Sequence, residues 1–425
     1  MSQVEKKRIL FLSGITQMID VIRTAKNSGY YTIVTDRTPG SPAKTHADKF
    51  YDVSTSDTEK LAEIARAEKV DGVFNAFDDV NTWNALALCE ELNLPYYATA
   101  EQLEICSDKG KFKEWCRNYS VPVIEEYKID GDLSEEFLSA LEFPVIIKPV
   151  DSYASQGITV CYGKSEARAG YTKALRFSKS KKAIIERFID NAYGIQILYT
   201  IQNNNIILNA VVDRFVHKHF KEHPPLPIAM VFPSQHREQY IKEVDSKVRT
   251  MLKGMGIKNG VIFIQSLYEN DSFYIYEMGF RLGGSQLYSI IEKQTGINQV
   301  EMMLDLLTGR SLEKYDMSMF DNAYTPYPSC NLPILLNEGT IGKIVGLEKI
   351  PQMPAVISCI TYNSAGDKIA VTGSYTQMFG RITIVAASEA ELNETIAIIQ
   401  ETLKVLSTDG EDMIIAKYHP IQVET

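Results

Sequence analysis

The chain has 425 residues, 45% hydrophobic and 23% charged, with a net charge of -10. That length supports roughly two to four domains with real cores. The acidic balance excludes a general nucleic-acid or anionic-membrane binder but leaves room for a local basic pocket around a phosphorylated ligand.

Six scattered cysteines, with no CxxC pair and no His/Cys cluster at metal-ligand spacing, read as reduced thiols in a cytoplasmic protein. The apolar run Ile9 to Leu12 is too short for a signal core or a membrane span and reads as a first strand. Ile15, Met18, Ile19, Ile22 and Ala25 keep helical spacing, and Tyr31 to Asp36 follows as a strand. This βαβ opening has Gly14 alone where a dinucleotide cradle needs GxGxxG. Asp36 reads either as a ribose-binding acid or as a turn residue. Strands at Phe50 to Val53 and Gly72 to Asn75 alternate with helices, and LNLPYYA reads as a last strand and exit. The pattern predicts a parallel sheet wrapped by helices over residues 1–98. Asp78 and Asp79, at a strand's carboxyl end, suit either a ligand or a helix cap.

Thr99 to Tyr119 reads as helical. Its segment SDKGKFKEW puts Lys109, Lys111 and Lys113 early in a helix, against the dipole, with Lys109 and Lys113 on one face. A solvated basic face and an anion site both account for them. Phe143 to Val160 reads as strand, loop, strand. Lys148 ends the first strand, where burial of an ammonium demands an anion nearby, and Ser152, Ser155 and Gly157 in the loop can close over phosphate oxygens. The bland alternative is a lysine before a surface turn. The strand AIIERF carries Glu186, and paired strands surround the turn Gln202 to Asn205. His217, His219 and His223 have no acidic or cysteine partner at ligand spacing, so a loop over the site is favoured over zinc. Strands Val261 to Tyr268 and Phe273 to Met278 lead into GFRLGG. Short β runs rich in glycine and a helix, Ser388 to Lys404, close the chain.

Lys148 with its loop, AIIERF and YIYEMGFRLGG, in that order, resemble the ATP-grasp superfamily of carboxylate–amine ligases, among them biotin carboxylase, carbamoyl-phosphate synthase and amino-acid ligases. The resemblance covers most of the chain. It implies a Rossmann-like domain (1–98), a nucleotide clamp of two sheets (99–182 and 183–310) and a C-terminal mixed β domain (311–425), α/β and α+β in class. By that resemblance Lys148 and either Lys109 or Lys113 meet ATP, with Lys109 favoured because it follows Asp108. Ser152, Ser155 and Gly157 flank the triphosphate, while Glu186 and backbone near Phe188 and Ile189 hold the adenine. Glu277 and Gln265 face Mg2+, and Arg281 joins Lys148 in the chemistry. The sequence departs from the family at Gln265, where a carboxylate is usual, and at Gly279, where an asparagine is usual.

The resemblance further implies an ADP-forming ligase that activates a small-molecule carboxylate as an acyl phosphate and joins it to an amine. Two rivals stand beside it: a nucleotide-binding regulatory protein without catalysis, motivated by Gln265 and Gly279, and a bicarbonate-using carboxylase. It implies a homodimer, with neither nucleic acid nor membrane as partner. Pocket walls are expected from Asp213 to His219, Gly284 to Tyr288 and the first domain.

Overall fold

The computed structural model describes residues 6–75, 77–129, 133–152, 156–189, 193–217, 226–370 and 375–420. Ser155, His219 and His223 lie outside them.

The first domain comprises β1 (Arg8–Leu12), α1 (Met18–Asn27), β2 (Tyr31–Thr35), β3 (Lys49–Tyr51), α2 (Thr58–Ala67), β4 (Gly72–Asn75) and α3 (Asp79–Leu92). Its strands form a parallel sheet in the order β3-β2-β1-β4. Met18, Val21, Ile22 and Ala25 bury one stripe of α1, as their spacing predicts. Asp36 accepts from the backbone N–H groups of Gly14 and Thr38 at 2.8 Å each, so it holds the turns after β1 and β2. LNLPYYA differs from expectation and forms no strand. Pro95 lacks a donor, and the two tyrosines are drawn inward: the Tyr96 hydroxyl donates to Asn75 at 2.6 Å, and the Tyr97 ring meets Phe280 edge-on at 5.0 Å.

Thr99 to Tyr119 divides into α4 (Ala100–Ser107) and α5 (Lys109–Asn118). Asp108 separates them because its carboxylate caps α5, accepting from the Lys111 N–H at 2.9 Å. The first lobe adds β5 (Glu126–Tyr127), α6 (Glu135–Ala140), β6 (Val145–Pro149), β7 (Thr159–Cys161), α7 (Lys164–Phe177) and β8 (Ala183–Arg187). Its sheet runs β5-β8-β6-β7, so β8 pairs within this lobe although the expected division fell at residue 182, and Glu186 of β8 lies between β5 and β6.

The second lobe contains β9 (Tyr193–Gln202), β10 (Asn205–His217), β11 (Leu226–Phe232), α8 (Arg237–Tyr240), α9 (Ser246–Gly254), β12 (Gly260–Glu269), β13 (Ser272–Gly279), α10 (Tyr288–Thr295) and α11 (Gln299–Leu307). The rest of the chain supplies β14 (Ser329–Leu335), β15 (Gly339–Val345), β16 (Val356–Thr361), β17 (Lys368–Ile369), β18 (Met378–Val385), α12 (Glu389–Thr402) and β19 (Lys404–Ser407). Strands from both parts build one antiparallel sheet, β13-β12-β9-β10-β11-β14-β18-β16, which continues across residue 310. β14 and β18 are buried along their whole length, so this junction is a core rather than a surface seam.

Candidate functional site

The first lobe gathers three lysines. Lys148 reaches Glu186 Oε2 at 2.6 Å, and Lys113 reaches Glu186 Oε1 at 2.6 Å and Glu126 at 3.4 Å. Glu186 is 1% exposed. Burial pushes its pKa up, but Lys148 and Lys113 more than offset that, and the group is held below the usual carboxylate range. Lys109, one helical turn before Lys113, points elsewhere. Its Nζ donates to the Ser152 carbonyl at 2.7 Å, and its backbone N–H donates to Val150 at 2.9 Å, which ties α5 to the loop after β6. Burial lowers the Lys109 pKa; Lys148 adds to the lowering, while Glu277 opposes it. Among the described residues no carboxylate is paired directly with this ammonium.

The loop itself has local reasons for its composition. The Ser152 hydroxyl donates to the Gln156 carbonyl at 2.9 Å. Gly157 has φ +77, and a Cβ there would lie 2.7 Å from both Phe177 and Pro149, so a turn and a close approach require glycine.

Across from these lysines, strand register aligns the second lobe's polar groups. Gln196 of β9 stands opposite Gln265 of β12, which stands opposite Glu277 of β13, so the three share one face. Two residues farther along β12, Leu267 gathers with Ile124 and Ile189, all buried, beside the Tyr274 and Tyr276 rings. This apolar slot adjoins Phe188, whose N–H donates to Pro144 at 3.2 Å. The Lys148 ammonium sits 5.7 Å over the Tyr276 ring, linking the lobes. The Gln265 amide oxygen accepts from Arg214 Nη1 at 3.1 Å and from the Tyr276 hydroxyl at 2.5 Å. In this arrangement the oxygen expected to face magnesium faces a guanidinium.

Arg281 is buried, with Nε 2.6 Å from Asp79 Oδ1 and Nη1 3.1 Å from the Leu282 carbonyl. Burial disfavours its charge, yet Asp79 raises its pKa overall. Its guanidinium lies 5.1 Å from the Phe263 ring centroid. Phe263 in turn covers Gly279, where a Cβ would fall 2.2 Å from the ring. Beyond Arg281, the segment Gly283 to Tyr288 meets two other parts of the chain. Gln286 Nε2 donates to the Gln17 carbonyl at 3.4 Å, Tyr288 donates to Asp20 at 3.3 Å, and Phe77 stacks on Tyr288 with ring centroids 6.4 Å apart. From β18, Arg381 Nη1 donates to the Gly284 carbonyl at 3.1 Å.

Comparison with known proteins bears on this clamp directly. Residues 108–315 match the family described as carbamoyl-phosphate synthase L chain, ATP binding domain, and residues 9–93 match the PylC-like N-terminal domain. Residues 108–315, just under half of the chain, thus carry an ATP-binding domain of the ATP-grasp kind. It is 20% identical over 317 residues to the carbamoyl phosphate synthase large chain of Clostridium acetobutylicum, covering 74% of this chain and 29% of that one. The chain thus spans under a third of that relative's length. Among solved structures, an L-amino acid ligase from Bacillus licheniformis superposes with a TM-score of 0.74 at 20% identity, covering 95% of this chain and 99% of that one. Biotin carboxylase from Campylobacter jejuni superposes with a TM-score of 0.74 at 19% identity, covering 94% and 91%. Both likenesses concern the fold.

Within this ATP-grasp clamp, the charge of Glu277 acts on Lys109 of the other lobe and on Arg281, Lys148 acts on Lys109, and Lys113 is paired with Glu186. Sequence reasoning missed Asp79 as the partner of Arg281, and it missed Arg214, Phe263 and Leu267 as neighbours of the metal end and the slot. Only Leu267 had a readable signal, its place two residues after Gln265 on the same strand face. Among the described residues no three carboxylate, histidine or cysteine groups assemble into a metal cage. The donor set therefore fits a cation shared between Glu277 and a ligand's own oxygens, not one enclosed by protein.

Proposed function

We propose that the protein is an ATP-dependent ligase that converts a small-molecule carboxylate into an acyl phosphate, releases ADP, and joins the acyl group to an amine. The observation that carries this reading is the Lys148 ammonium of one lobe 5.7 Å over the ring of Tyr276 of the other, next to Glu277, whose charge acts on Lys109 and Arg281, beside an apolar slot suited to a flat base. The amino-acid ligase and biotin carboxylase folds support the same chemistry by likeness.

A carboxylate resists attack because resonance and negative charge repel nucleophiles, so phosphorylation supplies a leaving group. Lys109, whose burial is uncompensated by a direct carboxylate among the described residues, gains most from an arriving phosphate. Lys148 neutralises charge nearby while remaining anchored on Glu186. A divalent cation, held by Glu277 and phosphate oxygens, would offset further charge on the triphosphate. Arg281 keeps its guanidinium plane fixed through Asp79 and Phe263, which orients the remaining N–H groups toward an acyl phosphate or an oxyanion. The carboxylate and amine pocket is the space around Gly283 to Tyr288, walled by the first domain and by Arg381.

Nucleotide product analysis with Mg-ATP and pooled carboxylates and amines tests the proposal, with bicarbonate added in parallel. ADP and phosphate formed only in the presence of a carboxylate is the expected result. AMP and pyrophosphate would refute acyl-phosphate chemistry, and bicarbonate dependence would transfer the protein to the carboxylases.

A further inference from the structure

Building on the nucleotide reading, we infer that the clamp holds one divalent cation, at Glu277, and that the Arg214 guanidinium occupies the position a second cation would need. Of the three residues aligned across β9, β12 and β13, Glu277 alone carries a charge. Gln265 is turned away from a metal by its neighbours. Arginine has donors and no acceptor, so the amide must present its oxygen to Arg214, at 3.1 Å, and the Tyr276 hydroxyl at 2.5 Å uses that oxygen's second lone pair. A magnesium ion bound to the same oxygen would sit about 2.1 Å from it, against the guanidinium.

The backbone explains how Arg214 gets there. Arg214 of β10 stands opposite Gly194 of β9, which stands opposite Leu267 of β12. With no side chain on Gly194, the arginine crosses β9 on this face and reaches Gln265 diagonally. The other flank of Glu277 is closed as well. Gly279 offers no side-chain donor, and the Phe263 ring fills the volume where one would begin. An apolar ring under the Arg281 guanidinium is a poor surface for a hydrated cation. The triphosphate thus meets one metal ion and a ring of fixed cations.

Counting bound Mn2+ on the full chain by electron paramagnetic resonance, at saturating AMP-PNP, tests this without relying on turnover. Nucleotide binding is measured separately by calorimetry on the same sample. One Mn2+ per chain is expected. Two ions, or none, with AMP-PNP bound would overturn the inference while leaving the nucleotide reading intact. Failure of AMP-PNP to bind at all would remove that reading and the inference together. The double substitution Arg214→Gln and Gln265→Glu takes away the guanidinium and supplies a second carboxylate beside Glu277, so its expected count rises to two. A count that stays at one in this variant, with nucleotide still bound, overturns the role assigned to Arg214.

Discussion

Glu186 and Glu277 are both strand carboxylates facing the clamp, and they live in opposite surroundings. Glu186 is enclosed, with one oxygen on Lys113 and the other on Lys148 at 2.6 Å each. Glu277 is half-buried in a row of neutral amides, and its field falls on Lys109 and Arg281 without a direct pair among the described residues. The difference separates two uses of the same side chain. A carboxylate whose lone pairs are taken by buried ammonium groups holds a fold together, and one left partly open can receive a cation.

Substitution at the two positions should therefore fail in different ways. Glu186→Ala leaves two buried ammonium groups facing each other, and breaking a buried ion pair from one side typically costs about 3–5 kcal/mol. Urea denaturation should show that loss, with little folded protein left if total stability is ordinary. A midpoint unchanged from wild type would sink the assignment of Glu186 as the lobe's electrostatic anchor. Glu277→Ala, in contrast, should keep the denaturation midpoint and lose turnover by about 10²–10³-fold, the usual scale for removing one preorganised charge contact. Full activity in that variant would exclude Glu277 from the site. Lys148→Ala stands between them, since the same ammonium serves both carboxylate and phosphate, and both readouts should fall.

Arg281→Lys sharpens the comparison from the other side. Arg281 uses Nε on Asp79 and Nη1 on Leu282, a fork that lysine cannot reproduce. Turnover should drop by at least about tenfold, since losing a charge-assisted hydrogen bond costs roughly 1.5–3 kcal/mol. Near-wild-type turnover would move Arg281 out of the chemistry. Gly279→Asn, which restores the residue usual in the family, should cost about 1–3 kcal/mol of stability by overpacking, because its Cβ would begin 2.2 Å from the Phe263 ring. Thermal denaturation checks this, and replacing Phe263 by Leu in the same chain should relieve part of the cost.

The parts of this clamp that were legible in the sequence are those written in short-range pattern. Alternating apolar runs marked β6, β8, β12 and β13 to within a residue or two, and Lys148 stood out because it interrupts one of them. Local chemistry also sets helix starts, since the side chains of Asp57 and Asp108 cap α2 and α5 by accepting from the backbone N–H groups of Lys60 and Lys111. What stayed hidden depends on distant strands meeting. No local spacing names a partner for Arg281, because that partner is Asp79, 202 residues away. Sequence could not say that Phe263 roofs Gly279, since that follows from the register of β12 on β13. Likewise, Lys109 and Lys113 look equivalent on a helix face, and only the placement of Glu186 on β8 separates them.

That separation carries the last prediction. Burial lowers the Lys109 pKa from the ordinary lysine value, and its closest partner, the Ser152 carbonyl, carries no full charge. In the free protein the depressed pKa means that the charged form is disfavoured by folding, a cost present below the folded pKa and relieved as pH rises through it. Nucleotide binding reverses the sign. A triphosphate beside Lys109 favours the ammonium and raises its pKa, so binding should take up protons in alkaline solution, and affinity should fall as pH climbs through the lowered value. Lys109→Arg, which stays charged across that range, should flatten the profile, whereas Lys113→Arg should leave it in place. Calorimetric titration of AMP-PNP in buffers of different ionisation enthalpy reads the proton uptake directly. An alkaline profile that persists unchanged in Lys109→Arg would mean that another group senses the phosphate.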